Sequence, residues 1–316
     1  MRAGAHALSL LSVPLNVQVV ETLGKEPRPL IDLRRAVGSP PQTTMRAHLR
    51  KLTEMGILER RRQSSFPGSV TYALGPAGAG FLEVADSLRV WLALSPDGPL
   101  QLGSAAAKGS IKALVDGWCS VMIRAIAARP LSLTALNRLI SSLNYPSLER
   151  RLVALRLAGL VEACPDPGRT TPYAATEWMR RAMAPLAVAA RWEMQQSAGS
   201  PPGKIDVEAL FLLAVPLVRF APEIAGACRL VVEVGKGGGG SELAGSMLRV
   251  EEGTVTSCTS QLKGEASGWA SGSTSAWLRA LIEGDAASLE VGGDCSLAMA
   301  TVDGLHTNLF RVPQPA

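Results

Sequence analysis

Shifted against itself by 103 positions, without a gap, the first two thirds of this chain repeats its own apolar pattern. Leu33 falls on Leu136, Val37 on Ile140, Met45 on Leu148, Leu49 on Leu152 and Leu52 on Leu155. The stretch Gly56-Ile57-Leu58-Glu59 falls on Gly159-Leu160-Val161-Glu162. Shared spacing of buried positions and a shared turn glycine predict two copies of one fold. Two copies at so long a period make a duplicated domain, not a solenoid, whose many short repeats stack on one another.

Each copy is expected to place short helices before a two-stranded hairpin. In the first, residues 13–23 read as an apolar helix ended by Gly24 and the Pro27/Pro29 pair. Residues 30–37 read as a second, short helix closed by Gly38-Ser39-Pro40-Pro41. A third helix starts at that turn, with Ser39 the candidate cap and proline tolerated in the first turn. On it Met45, Leu49, Leu52 and Met55 recur at three- and four-residue spacing and form one buried stripe, and Gly56 supplies a left-handed end. Residues 57–62 and 70–74 then read as strands around a tip, 63–69, rich in Ser, Pro and Gly.

Helix, turn, helix and β-hairpin is the winged helix-turn-helix plan. The run Leu33-Arg34-Arg35-Ala36, the helix end from Leu49 to Arg60 and the closing Tyr72-Ala73-Leu74-Gly75-Pro76-Ala77-Gly78 resemble the HxlR branch of bacterial winged-helix regulators. That resemblance implies that the helix at 41–55 is the recognition helix and the hairpin tip is the wing. The second copy, residues 111–192, is similar but looser. It keeps Leu136-Asn137-Arg138-Leu139 and residues 152–162, has a shorter tip at 165–171, and carries Thr176-Glu177-Trp178 where the family has Pro-x-Gly after the wing.

Residues 195–202 read as a linker, and beyond them the period changes. A helix over 207–220 is expected to break near Pro216. Candidate strands cover 229–235, 246–252, 254–260 and 264–270, separated by glycine-containing turns. Residues 275–283 read as an amphipathic helix with Trp277, Leu278, Leu281 and Ile282 on its apolar side. Strand pattern resumes at 289–299, and a short helix is expected near 302–305. The hairpin at 248–253, the run 276–285 and the run 291–298 resemble the sterol-carrier-protein-2 (SCP2) superfamily over roughly residues 205–310. The resemblance implies helices packed over one sheet, often around an apolar tunnel; it implies a ligand-binding shape and no particular ligand.

Charge divides along the same lines. Residues 1–95 carry 12 Lys/Arg against 7 Asp/Glu, residues 96–196 again 12 against 7, and residues 197–316 carry 8 against 13. Basic repeats followed by an acidic segment fit a chain whose repeats face phosphate. A bias this mild is common in proteins that never meet DNA, and it gains weight only because it coincides with the helix-turn-helix pattern. The five cysteines (119, 164, 228, 258 and 295) are scattered and odd in number, so neither a disulfide framework nor a metal-ligand spacing is expected, and a reducing cytoplasm is. The apolar run 209–218 is too short to span a bilayer, and residues before Pro14 lack a signal-peptide pattern.

With Met45, Leu49 and Leu52 turned to the core, Gln42, Thr43, Arg46, Ala47 and Arg50 face outward. Gln and Arg can each make two bonds to adenine or guanine edges in the major groove. The bland alternative is a solvated face, which any buried stripe requires opposite it; the surrounding pattern favours DNA contact. Arg60, Arg61 and Arg62 beside the wing could hold phosphates, with Arg61 and Arg62 weighing less than Arg46 and Arg50, and Arg34 and Arg35 could brace the DNA backbone. The equivalent face of the second copy is Tyr145, Ser147, Glu149, Arg150 and Val153. Glutamate repels phosphate and valine reads nothing polar, so weak DNA binding and a structural role both stay open there.

The glycine run 235–241 has its lysine before the glycines, the reverse of a phosphate loop, and reads as a flexible hairpin tip. His6, His48 and His306 lie far apart and no carboxylate pair sits at a spacing suited to acid–base work, so no catalytic set is expected. His48 reads as a polar edge of the recognition helix. Trp269, Trp277, Leu281 and Met299 are candidate lining of a ligand cavity, with ordinary core packing the competing reading for each.

The resulting expectation is an α+β multidomain chain. Two tandem winged helix-turn-helix domains, 1–95 and 96–196, precede a sterol-carrier-like domain at 203–316. It is a cytoplasmic, non-enzymatic regulator without metal or cofactor, whose partners are double-stranded DNA and a hydrophobic small-molecule effector. Its two reading helices form a pseudo-dimer within one chain, with a homodimer as the alternative. The rival function is a ligand carrier or protein-interaction protein in which the winged helices are structural. Operator, effector and sign of regulation are not legible.

Overall fold

The computed structural model describes residues 3–62, 70–117, 120–164, 170–196, 203–235 and 241–310. The expected hairpin tip at 63–69, most of the second tip, most of the linker and the middle of the glycine run lie outside them. The fold is mixed α+β, and contacts divide it into two compact units: residues 3–115 with 188–196, and 116–187 with 203–310. The division differs from the three consecutive segments read from the sequence, because each unit takes in a stretch that returns from further along the chain.

The first unit opens with α1 (Ala5–Leu11) and α2 (Pro14–Lys25), then β1 (Arg28–Pro29), α3 (Leu30–Ala36) and α4 (Gln42–Glu54). The hairpin β2 (Leu58–Arg62) and β3 (Val70–Leu74) leads to α5 (Gly78–Ala93) and α6 (Ala105–Gly117). The two-residue strand β1 pairs with β3 and completes a sheet of order β1-β3-β2. It was not foreseen, since two residues carry no period. Nor does Gly24 end α2, which continues to Lys25; helix packing outweighs the modest cost of an internal glycine. Ser39 sits at φ 53 in the turn, and Pro41 holds the cap position without a side-chain bond. Two glycines are dictated by geometry. Gly56 ends α4 at φ 69, and a Cβ on Gly75 would lie 2.3 Å from the Gly56 carbonyl oxygen.

The core of this unit is closed by residues distant in sequence. Trp192 is fully buried, meets the Phe81 ring at 5.1 Å between centroids, and donates its indole N–H to the Ala77 carbonyl at 2.9 Å. The neighbouring Glu193 carboxylate is also buried and accepts the Gly4 and Ala7 N–H groups, each at 2.8 Å, satisfying donors at the start of α1.

The second unit begins with α7 (Ser120–Ala128), β4 (Leu131–Ser132), α8 (Leu133–Leu139) and α9 (Tyr145–Leu157). The strands β5 (Val161–Ala163) and β6 (Pro172–Ala175) follow, pairing in the order β4-β6-β5. Then come α10 (Glu177–Arg181), α11 (Met183–Gln195), whose residues from Val188 on belong to the first unit, and α12 (Lys204–Ala214). The break expected near Pro216 is a 3-10 turn at Val215–Leu217. Next are β7 (Gly226–Gly235), β8 (Ser241–Glu251), β9 (Thr254–Thr259), β10 (Gly268–Ser273), α13 (Thr274–Glu283), β11 (Glu290–Gly293) and α14 (Cys295–Phe310). The five strands form one sheet of order β11-β10-β7-β8-β9, with only β7 and β10 parallel. Gly235 pairs with Ser241, and the residues between them, where a flexible tip is expected, lie outside the described ones.

Helices α13 and α14 pack on β7 and β10, and α12 packs on β8 and on α7. The sheet face they cover carries Cys228, Leu230, Val232, Leu248 and Val250, all buried. Strand pattern over 289–299 proves half wrong. The strand stops at Gly293, Asp294 accepts the Leu297 N–H at 3.1 Å, and a sixteen-residue helix follows. Its buried residues Leu297, Ala298, Thr301, Val302 and Leu305 show helical spacing once that cap is recognised. Arg180 on α10 donates to the Leu212 carbonyl at 3.0 Å and the Ala127 carbonyl at 3.4 Å, near the ends of α12 and α7. A guanidinium suits the negative ends of two helices, although burial lowers its pKa.

The four described cysteines are free. Burial pushes the Cys228 thiol up to about 11, over the opposing hydrogen bonds from Thr301 and the Arg229 backbone. Burial likewise pushes Cys258 up to about 12, against the pull of Ser246 and Arg180. Thiolate, not thiol, reacts with iodoacetamide, so at pH 8 only about one part in a thousand of Cys228 is competent. Exposed Cys295 should therefore be alkylated in the folded protein while Cys228 and Cys258 stay unmodified, as peptide mass mapping would read. Prompt labelling of Cys228 would mean that its wall of the core opens readily.

Among the described residues no single helix is long and apolar enough to cross a membrane; α1 and α2 pass only as a pair, bent by 87°. No cluster of His, Cys, Asp or Glu among them could hold a metal ion.

Candidate nucleic-acid interface

On α4, Met45, Leu49 and Leu52 are buried, and Gln42, Thr43, Arg46, Ala47 and Arg50 are exposed on the opposite side. Arg46 and Arg50 stand one turn apart. The nearest carboxylate to Arg50 is Glu54 at 3.9 Å, with both side chains largely exposed, a pairing worth little and easily exchanged for another anion. Met55, assigned to the buried stripe, is only half-buried and caps the helix.

What holds α4 in place was partly invisible in the sequence. His48 is half-buried, with Nδ1 2.8 Å from Asn16 Oδ1, and the buried Asn16 in turn donates to the Leu10 carbonyl at 2.9 Å. His48 is thus a strut between α4 and α2. Arg34 likewise donates its Nε–H to the Pro40 carbonyl at 2.8 Å and ties the turn between α3 and α4. Arg35 is exposed and only loosely paired with Asp32, at 3.8 Å.

Arg60, Arg61 and Arg62 are exposed on β2, where Arg61 pairs with Glu59. The strand they lie on ends at Arg62, before residues 63–69, which lie outside the described ones. The first unit therefore presents one helix face and one strand end carrying cations, both on a backbone pinned by buried contacts. That arrangement can engage phosphates sequence-independently and base edges specifically.

The helix α9, expected from the sequence to correspond to α4, presents different chemistry. Asn144 caps α9 by accepting the Ser147 N–H at 3.0 Å, and Leu148, Leu152 and Leu155 are buried. The outward side carries Tyr145 at 44% exposure, Val153 at 47% and Leu157 at 83%, together with exposed Glu149 and Arg150. At the 103-residue shift, Gln42, Arg46, Arg50 and Glu54 are answered by Tyr145, Glu149, Val153 and Leu157. Polar groups able to read bases are replaced there by an aromatic, an acid and two aliphatics.

The four candidate ligand-lining residues do not all lie on one side of the sheet. Trp269 lies on the sheet face away from the helices, at 36% exposure, over Gly292. Trp277 and Leu281 are buried on α13, with Trp277 edge-on to Phe211 at 5.0 Å and donating to the Val231 carbonyl at 2.7 Å. Met299 is half-buried on α14, not on a strand.

No curated protein matches the chain. The HxlR-like helix-turn-helix family matches residues 14–96, which span α2 to α5 and so contain α4 and its hairpin. This protein carries an HxlR-like helix-turn-helix domain at residues 14–96, and that domain supports a DNA-binding transcriptional regulator.

Proposed function

We propose that the chain is a non-enzymatic transcriptional regulator that reads DNA with α4, grips phosphates with the β2 arginines, and answers to a hydrophobic small molecule. The observation that carries this reading is the outward row Gln42, Thr43, Arg46 and Arg50 on a helix whose opposite side is locked into the core. Residues 116–187 are a second winged helix in this reading. Its support is the strand order β4-β6-β5, which repeats β1-β3-β2, around two helices with the same buried spacing. The sterol-carrier likeness of residues 203–316 is supported by helices covering one side of a single sheet. The apolar outward side of α9 favours a structural role for the second copy. Two reading helices on one operator would then come from two chains instead of from a pseudo-dimer within one.

Fluorescence anisotropy on DNA from upstream of the protein's own gene, repeated across salt concentrations, tests this. Expected are a linear fall of log affinity with log salt and a slope that shrinks by about one when Arg61→Ala removes a phosphate contact. Sedimentation of the same complex should find two chains per symmetric operator; one chain on an asymmetric site would restore the pseudo-dimer. Binding no tighter to upstream DNA than to random sequence would support the carrier or interaction protein instead.

A further inference from the structure

Within the second unit, α7, the end of α8, α12 and the end of β9 enclose a cleft of about 420 Å³. A volume of that order suits a small organic ligand. Its walls are apolar where Ala125, Ala128, Ile140 and Leu212 line it, and two guanidiniums, Arg124 and Arg129, line it as well. No carboxylate among the described residues lines it.

The two cations differ in what they are free to do. Arg124 is committed: its Nε lies 3.1 Å from the buried Glu208 carboxylate, and its Nη2 donates to Ser260 Oγ at 3.0 Å. Arg129 is exposed and has no hydrogen bond or ion pair among the described residues. The cleft thus combines an apolar floor with one unmatched cation and a second, half-neutralised one beside it. Such a site attracts a single negative charge, and its walls reward a hydrophobic body on the same molecule. A cleft of about 600 Å³ in the first unit lacks this imbalance, because its two cations, Lys25 and Arg89, are matched by two carboxylates, Glu21 and Asp86, both of which Arg89 pairs.

We propose that this cleft binds an apolar monocarboxylate, with the carboxylate on Arg129 and the hydrocarbon or aromatic body against Ala125, Ala128, Ile140 and Leu212. Such a ligand would also cover Leu139, which lines the cleft and is 58% exposed. Leu139 and Ile140 end α8 and begin the turn into α9, so an occupant presses directly on the helix-turn-helix corner of this copy. The consequence for DNA binding rests on the regulator reading above; ligand binding itself does not.

Calorimetry on the full chain with 2-naphthoate, and with neutral 2-naphthamide as its isostere, tests the site. Naphthoate should bind saturably, at one per chain, and at least about tenfold more tightly than the amide, the worth of one charge-assisted hydrogen bond. Arg129→Gln should erase the difference between the two probes, and Ala128→Trp, which fills the cleft, should abolish both, with thermal melts showing each variant folded. No saturable naphthoate binding, or naphthoate binding unchanged in both folded variants, would overturn the proposal. Naphthoate bound with operator affinity unchanged would uphold the site and overturn ligand control.

Discussion

An Arg46→Ala, Arg50→Ala double variant should bind its operator on the order of 30-fold to 10⁴-fold more weakly than the parent protein, from about 1–3 kcal/mol per lost bidentate base contact. Both side chains are exposed, and the ion pair forfeited with Glu54 is a loose 3.9 Å contact on an open helix face. Thermal stability should therefore hardly change, separating a lost contact from a lost fold. Because at the 103-residue shift Val153 stands where Arg50 does, and Glu149 where Arg46 does, Arg150→Ala on α9 should cost much less. Anisotropy titrations at one fixed salt concentration, with Arg50→Ala also measured alone, compare the three variants. Equal losses at Arg50 and Arg150 would mean that α9 reads DNA as α4 does and that its apolar outward side has been misjudged.

Trp192→Ala should destabilise the first unit by about 3–5 kcal/mol, the usual cost of emptying a large aromatic site in a core. The indole is fully buried, packs against Phe81 at 5.1 Å and gives the Ala77 carbonyl its hydrogen bond at 2.9 Å, so the truncation leaves both a cavity and an orphaned acceptor. Against a typical total of about 5–15 kcal/mol, that is enough to move the urea midpoint markedly. Trp192→Phe keeps one ring of the packing but loses the N–H and the rest of the indole, so it should cost less than the alanine variant, about 1–3 kcal/mol. A fragment ending at residue 96 should behave like the alanine variant, for it lacks both Trp192 and Glu193. A loss below about 1 kcal/mol for Trp192→Ala would show that residues 188–196 merely rest on this unit.

Local periodicity determined what depends on neighbours within a turn or two. The buried Met45, Leu49 and Leu52 of α4, the left-handed Gly56 behind it, the β2–β3 pairing and the outward row from Gln42 to Arg50 are legible in the sequence, whereas half-buried Met55 departs from the stripe. Each follows from helix or strand spacing and one turn residue. The sixteen-residue helix α14 was obscured because Asp294 caps it directly after a strand, leaving no loop to announce the change of period.

Only the tertiary structure decided which distant segments share a core. Residues 188–196 close the first unit, with Glu193 accepting the Gly4 and Ala7 N–H groups, and α12 packs against α7 in the second. The pairing of His48 with Asn16 and the turn-bracing bond from Arg34 to Pro40 belong to the same class. So does the separation of Trp269 from Trp277 onto opposite sides of one sheet. Amphipathic spacing states that a face must be covered; the partner that covers it is chosen by shape and by the matching of buried polar groups across the whole chain.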